Sequence, residues 1–156
     1  MRIKRLELLT DDLIAQKEFY SSVLELPVHL EDDSLLVKAG KTDIVFTQAP
    51  AQWTGAYHFA FNIPANQCPQ AKAWLSKRIP LLKDTQGVDE FKSESWNSTS
   101  LYFKDTAGNI LEFIARHGQK NATEIPFNSE QILQVSEIGL PSRDVISFAK
   151  ELCERL

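Results

Sequence analysis

The stretch YFKDTAGNILEFIARH, residues 102–117, decides the reading of this chain. Ser100 to Lys104 reads as a strand, Asp105-Thr106-Ala107-Gly108-Asn109 as a turn, and Ile110 to Arg116 as a closing strand. Inside that apolar strand stands one acid, Glu112. Its neighbours Leu111 and Phe113 point to the opposite face. Burying a carboxylate there is costly without a partner. A metal ion, an ion pair with Arg116 or Lys104, or solvent would each satisfy it.

Working outward, the same order of elements occurs twice. In the second copy, Tyr57 to Ile63 alternates as a strand that Pro64 stops, with His58, Ala60 and Asn62 on one face. Pro69 to Arg78 reads as a helix, with Pro69 in its first turn. Ile79 to Leu82 reads as a strand and Lys83 to Glu94 as a polar insert. In the first copy, Ile3 to Leu9 is a strand, and Thr10 and Asp11 are candidate caps for a helix with Leu13, Phe19, Tyr20, Val23 and Leu24 on one face. Three short strands follow, at Val28–Leu30, Ser34–Lys38 and Thr42–Thr47. The repeat is one of pattern, without runs of identity: Gly40 precedes Asp43-Ile44-Val45-Phe46 much as Gly108 precedes Ile110-Leu111-Glu112-Phe113.

A third start follows. Ile132 to Leu140 reads as a strand and Arg143 to Leu156 as a helix capped by Ser142, with Val145, Phe148, Ala149 and Leu152 on one face. SEIGLPSRDVISFAKEL echoes RLELLTDDLIAQKEFY of the first copy. This βα piece is either a C-terminal cap or the beginning of a longer third unit.

Composition narrows the function. A formal charge of −4 argues against a nucleic-acid partner, and Lys72, Lys77 and Arg78 read as the solvated face of a helix. No segment approaches the roughly 20 apolar residues of a membrane helix, and no signal-peptide region follows the basic N-terminus, so the cytoplasm is the expected location. Cys68 and Cys153 are too few for a disulfide framework and read as structural thiols. Neither a Gly-x-Ser-x-Gly elbow, nor a P-loop, nor a dinucleotide fingerprint is present.

In this order, the elements resemble the vicinal oxygen chelate superfamily of glyoxalases, extradiol dioxygenases and bleomycin-resistance proteins. The closing hairpin is similar to the family's Asp-Pro-x-Gly-Asn turn and metal-Glu strand, with Thr106 in place of Pro. AYHFAFNI resembles the strand that carries a metal His, and LTDDLIAQKEFYSSVLELPV resembles the first helix, with Pro27 where Gly is common. The resemblance implies an α+β fold: two βαβββ units (1–48 and 55–117, a domain of 1–120) forming a cup-shaped, half-open mixed β-barrel, with a C-terminal βα appendage over 121–156. It also implies that His58 and Glu112 are metal ligands. The family's first His position falls on Arg5, which cannot ligate a metal at neutral pH. Its first-copy carboxylate position falls near Ile44. Glu7 shares a face with Arg5 and is the candidate third ligand, giving a His-Glu-Glu site suited to iron, zinc, manganese or nickel; in the competing reading Arg5 pairs with Glu7 or Glu112 and replaces the metal. Arg5, Asn62 and Trp96 are candidate pocket residues, although Trp96 also reads as a core anchor and the insert before it as a lid or a solvated loop. Tyr57 and Tyr102 are expected to point away from the His58 face, into the core. His29 and His117 read as surface histidines.

Two functions follow from the resemblance. One is a metal-dependent glyoxalase- or dioxygenase-like enzyme acting on a small molecule with vicinal oxygens, with Glu112 catalytic. The other is a metal-free small-molecule binder of the bleomycin-resistance kind. The apolar face of the last helix must pack on its own chain or on a partner, which allows for a homodimer.

Overall fold

Alternation along Arg5–Thr10 (β1) turns Leu8 and Thr10 inward and leaves Arg5 and Glu7 outside. Asp12 then caps α1 (Leu13–Glu18), its side chain accepting the Ala15 N–H at 2.8 Å. The helix runs into a π-helical turn, Phe19–Val23, that buries Phe19 and Tyr20. Glu25, at φ +54°, and Pro27 end it. Strands β2 (Val28–Leu30), β3 (Ser34–Ala39) and β4 (Thr42–Gln48) complete a sheet of order β1-β4-β3-β2, with β1 parallel to β4 and the rest antiparallel.

The computed structural model describes residues 3–140 and 142–155. Its second sheet repeats the plan. It contains β5 (His58–Ile63), β6 (Phe91–Ser93), β7 (Ser98–Lys104) and β8 (Ile110–Arg116), with β5 parallel to β8, and α2 (Cys68–Leu75) follows β5 in the chain. A fifth strand, β9 (Gln134–Ile138), pairs antiparallel with β5, giving the order β6-β7-β8-β5-β9. The architecture is α+β, with two mixed sheets that do not form a closed barrel, as the resemblance implied. The two sheets are separate hydrogen-bonded ladders. A last helix, α3, covers Val145–Arg155.

One apolar core joins the inner faces of both sheets. Phe46, Phe59, Phe61, Phe103 and Phe113 are fully buried, with Phe113 meeting Phe61 and Phe103 edge-on at ring-centroid distances of 6.0 and 5.1 Å. Each such ring contributes about 1.5–3 kcal/mol by leaving water. Phe127, Ile132 and Val135 of the C-terminal stretch belong to the same cluster. Asp105 fastens the two units together. Its carboxylate accepts Asn109 N–H and Nδ2–H at 2.9 and 2.8 Å within its own turn, then Gln16 Nε2–H at 3.1 Å and the Tyr20 hydroxyl at 3.4 Å from the first unit. Burial pushes its pKa up against these bonds, and burial beside Asp105 pushes that of Tyr20 well up.

Several expected elements shift. Ile79–Leu82 is not a strand. Pro80 lacks a donor, and only Leu82 N–H reaches the Tyr102 carbonyl, at 2.8 Å, while Ile79 and Leu81 pack on the core as cover. The strand that pairs with β7 lies inside the polar insert, at Phe91–Ser93. The second helix is shorter than expected and starts at Cys68, while the final strand narrows to 134–138. Among the described residues the apolar face of α3 is not buried: Val145, Phe148 and Leu152 are all exposed. Among the described residues no helix is long and apolar enough to cross a membrane.

Candidate functional site

The outer face of the second sheet carries the candidate site. Register puts His58 beside Ile110, Ala60 beside Glu112 and Asn62 beside Ile114 across β5 and β8, and Tyr102 beside Glu112 across β7 and β8. These side chains alternate with the buried phenylalanines, so the strands that build the core also present a polar row on their other face. Glu112 sits in that row at 3 % exposure.

His58 Nε2 lies 3.4 Å from a Glu112 carboxylate oxygen. Its Nδ1–H donates to the Ile110 carbonyl at 3.0 Å, which fixes the ring. The Glu112 carboxylate raises the His58 pKa above its ordinary 6.5 through hydrogen bonding. Partial burial opposes the rise, while the Ile110 carbonyl and the charge of Glu137 add to it. Tyr102 is half-buried on the same face, its ring centroid 6.0 Å from that of His58, and its pKa is raised by burial and by Glu112. This corrects the expectation that Tyr102 points into the core. Tyr57 does pack against the core, and its hydroxyl accepts the Leu9 N–H at 3.2 Å.

β9 adds the remaining charged groups. Ala60 is flanked by Glu112 on one side and by Glu137 on the other. Glu137 pairs with Arg116, whose Nε–H also reaches Asn62 Oδ1 at 3.3 Å and whose guanidinium lies 5.3 Å from the centre of the Trp96 ring. Trp96 is 62 % exposed, in the turn between β6 and β7 where Asn97 takes φ +45°. It is therefore not a core anchor. It lines a cleft of about 410 Å³ together with Asn62, Arg116 and Glu137. An apolar hollow of about 380 Å³ adjoins His58, walled by Leu82, Phe91, Tyr102 and Ile110. A roomier cavity of about 620 Å³ lies elsewhere, near Cys68 and His117. Both nitrogens of His117 are engaged there, by Thr99 Oγ1 and the Ala65 carbonyl, and burial pushes the Cys68 thiol up to about 11, away from nucleophilic use.

The first sheet keeps its two candidates to itself. Arg5 Nε–H donates to Glu7 at 2.7 Å, and both side chains are exposed. His29 is likewise exposed, 3.6 Å from Glu31. Sequence reasoning thus assembled three ligands of which the chain brings two together. Two donors 3.4 Å apart are within reach of one divalent ion, which holds such ligands at about 2.0–2.2 Å. A third protein donor does not join them: among the described residues no three His, Cys, Asp or Glu side chains converge to hold a metal. Glu7 is bonded to Arg5 and Glu137 to Arg116. The donor set of a single chain therefore does not fit a resident ion.

The sequence matches no protein-family model and no curated protein. Solved structures do match. Lactoylglutathione lyase from Agrobacterium tumefaciens aligns over 72 % of this chain and 91 % of its own, at 23 % identity and TM-score 0.59. An integron cassette protein from the mobile metagenome of Halifax Harbour Sewage Outfall aligns over 72 % and 97 %, at 23 % identity and TM-score 0.60. FosX from Listeria monocytogenes, solved with Mn(II) and dihydroxypropylphosphonic acid, aligns over 76 % and 90 %, at 14 % identity and TM-score 0.55. The chain has the vicinal oxygen chelate fold. Within that fold the His58–Glu112 pair sits on two strands of the second sheet, while Arg5 and Glu7 of the first sheet pair with each other. The fold hosts more than one chemistry, and the side chains of the site select among them.

Proposed function

We propose that the outer face of the second sheet binds a small molecule and that it does so without a resident metal. One observation carries this reading: the buried Glu112 carboxylate is met by His58 at 3.4 Å, while the carboxylate that would make a third metal donor is spent on Arg5. The pair offers a ligand one acceptor and one donor. The apolar hollow beside Tyr102 and Phe91 takes the ligand's hydrocarbon or aromatic part.

The 3.4 Å spacing favours a second reading, a metal-dependent enzyme of glyoxalase or dioxygenase type. In it His58 and Glu112 hold an iron, zinc, manganese or nickel ion, and Glu7 of a second copy in a homodimer supplies the third donor. Elemental analysis of untagged protein decides between the two. The first reading expects no stoichiometric metal, even after incubation with each of these ions. Near-stoichiometric metal in the wild type that is absent from His58→Ala would replace it with the second.

A further inference from the structure

The C-terminal strand brings a charge into this face that its alternation alone would not. Gln134 stands on the outer face opposite Asn62, and Val135 turns into the core opposite Phe61. Strict alternation would place Ser136 outside and Glu137 inside. The register shifts there, between Ala60 and Phe61, and Glu137 emerges opposite Ala60 on the outer face. A bulge of this kind re-aims a side chain, and such bulges collect beside binding sites. Attaching β9 does not require it, because the ladder with β5 and the burial of Ile132 and Val135 already do that.

Glu137 is aimed at Arg116. That side chain is 16 % exposed, is held in place by Asn62 and lies under the exposed ring of Trp96, at the wall of the 410 Å³ cleft. A guanidinium presents a planar fork that fits a carboxylate in two-point fashion. The carboxylate that meets it is the chain's own, through a single contact from Nη2, and it sits at the rim, 35 % exposed.

We propose that Arg116 is the anion-recognising group of this face and that Glu137 is a built-in competitor for it, so that the cleft selects small molecules bearing a carboxylate or a similar oxyanion next to a flat or apolar body. This rests on the reading that the face binds small molecules. The anion displaces Glu137 from the fork, and the flat body lies against Trp96. Glu137 then sets a threshold: neutral molecules do not dislodge it, and weak anions do so only at higher concentration.

The test uses benzoate and its neutral counterpart benzamide, titrated into full-length wild type and Glu137→Gln and followed by NMR. Benzoate is expected to move the Arg116 Nε–H signal in the wild type, whereas benzamide is not. Glu137→Gln is expected to bind benzoate at least tenfold more tightly, with benzamide affinity unchanged. If benzamide binds but benzoate binds no differently in either protein, with the Arg116 signal unmoved, the inference fails and the small-molecule reading stands. If neither probe perturbs this face in either protein, both fail. Should Glu137→Gln release β9, seen as lost protection of the Val135 and Gly139 amides, the wild-type Arg116 signal decides alone.

Discussion

His58 Nε2 faces Glu112 across 3.4 Å while its Nδ1–H is committed to the Ile110 carbonyl, so the ring can be charged only toward the carboxylate. The His58 pKa is raised in the folded chain, chiefly by Glu112. A raised histidine pKa contributes stability that is fully present below its unfolded value, near 6.5, and is lost as pH rises through the folded pKa. The stability advantage of wild type over His58→Gln is therefore expected to shrink as pH rises from about 6.5. NMR titration of the ring checks the cause: Glu112→Gln should bring the His58 pKa back down. An unchanged titration in that variant would remove Glu112 as the cause.

Asp105 is the polar link between the units, and its loss should be felt globally. Asp105→Ala leaves Gln16, Tyr20 and Asn109 without their buried partner. We expect a loss of at least about 3 kcal/mol, from charged hydrogen bonds and stranded donors together. Denaturant unfolding measures it. A loss below about 1 kcal/mol would mean that the turn holds without the carboxylate.

Gly40 is required by both its conformation and its surroundings. It takes φ +56°, and a Cβ there would lie 2.0 Å from the Leu133 carbonyl oxygen, just before β9. The neighbouring Lys41 N–H donates to that same oxygen at 2.9 Å. Gly40→Ala should therefore cost upwards of about 2 kcal/mol and raise amide exchange in β9 before it does so in β7 or β8.

Trp96 should behave in the opposite way. It is exposed, and its ring lies 5.3 Å from the Arg116 guanidinium. Trp96→Ala is expected to change stability by less than about 1 kcal/mol. It should nevertheless weaken binding of aromatic ligands to this face. A large stability loss would restore the core-anchor reading.

The fold was legible because period-2 alternation and turn chemistry repeat in order, and the Asp105–Asn109 turn marks the second unit without ambiguity. Position on the sheet was legible for His58, Asn62 and Glu112 by parity alone. Tyr102 was misplaced although the same arithmetic places it: the turn sets Lys104 opposite Ile110, and so Tyr102 opposite Glu112. Glu137 was missed because a bulge breaks the alternation from which facing is read. The Ile79–Leu82 strand failed because four apolar residues without alternation cover a core as readily as they pair. Glu7 failed as a partner of His58 because parity gives the face of a strand, while the distance between two sheets is set by packing.

On the reading proposed above, the His58–Glu112 face is where this chain binds a small molecule. Amide and side-chain chemical-shift mapping during a screen of small aromatic and oxygen-rich compounds tests it most directly. Hits are expected whose perturbations cluster on His58, Ala60, Asn62, Tyr102 and Glu112 and vanish in Glu112→Gln. Hits that map to the cavity near Cys68 and His117 instead, or that bind unchanged in Glu112→Gln, would contradict it.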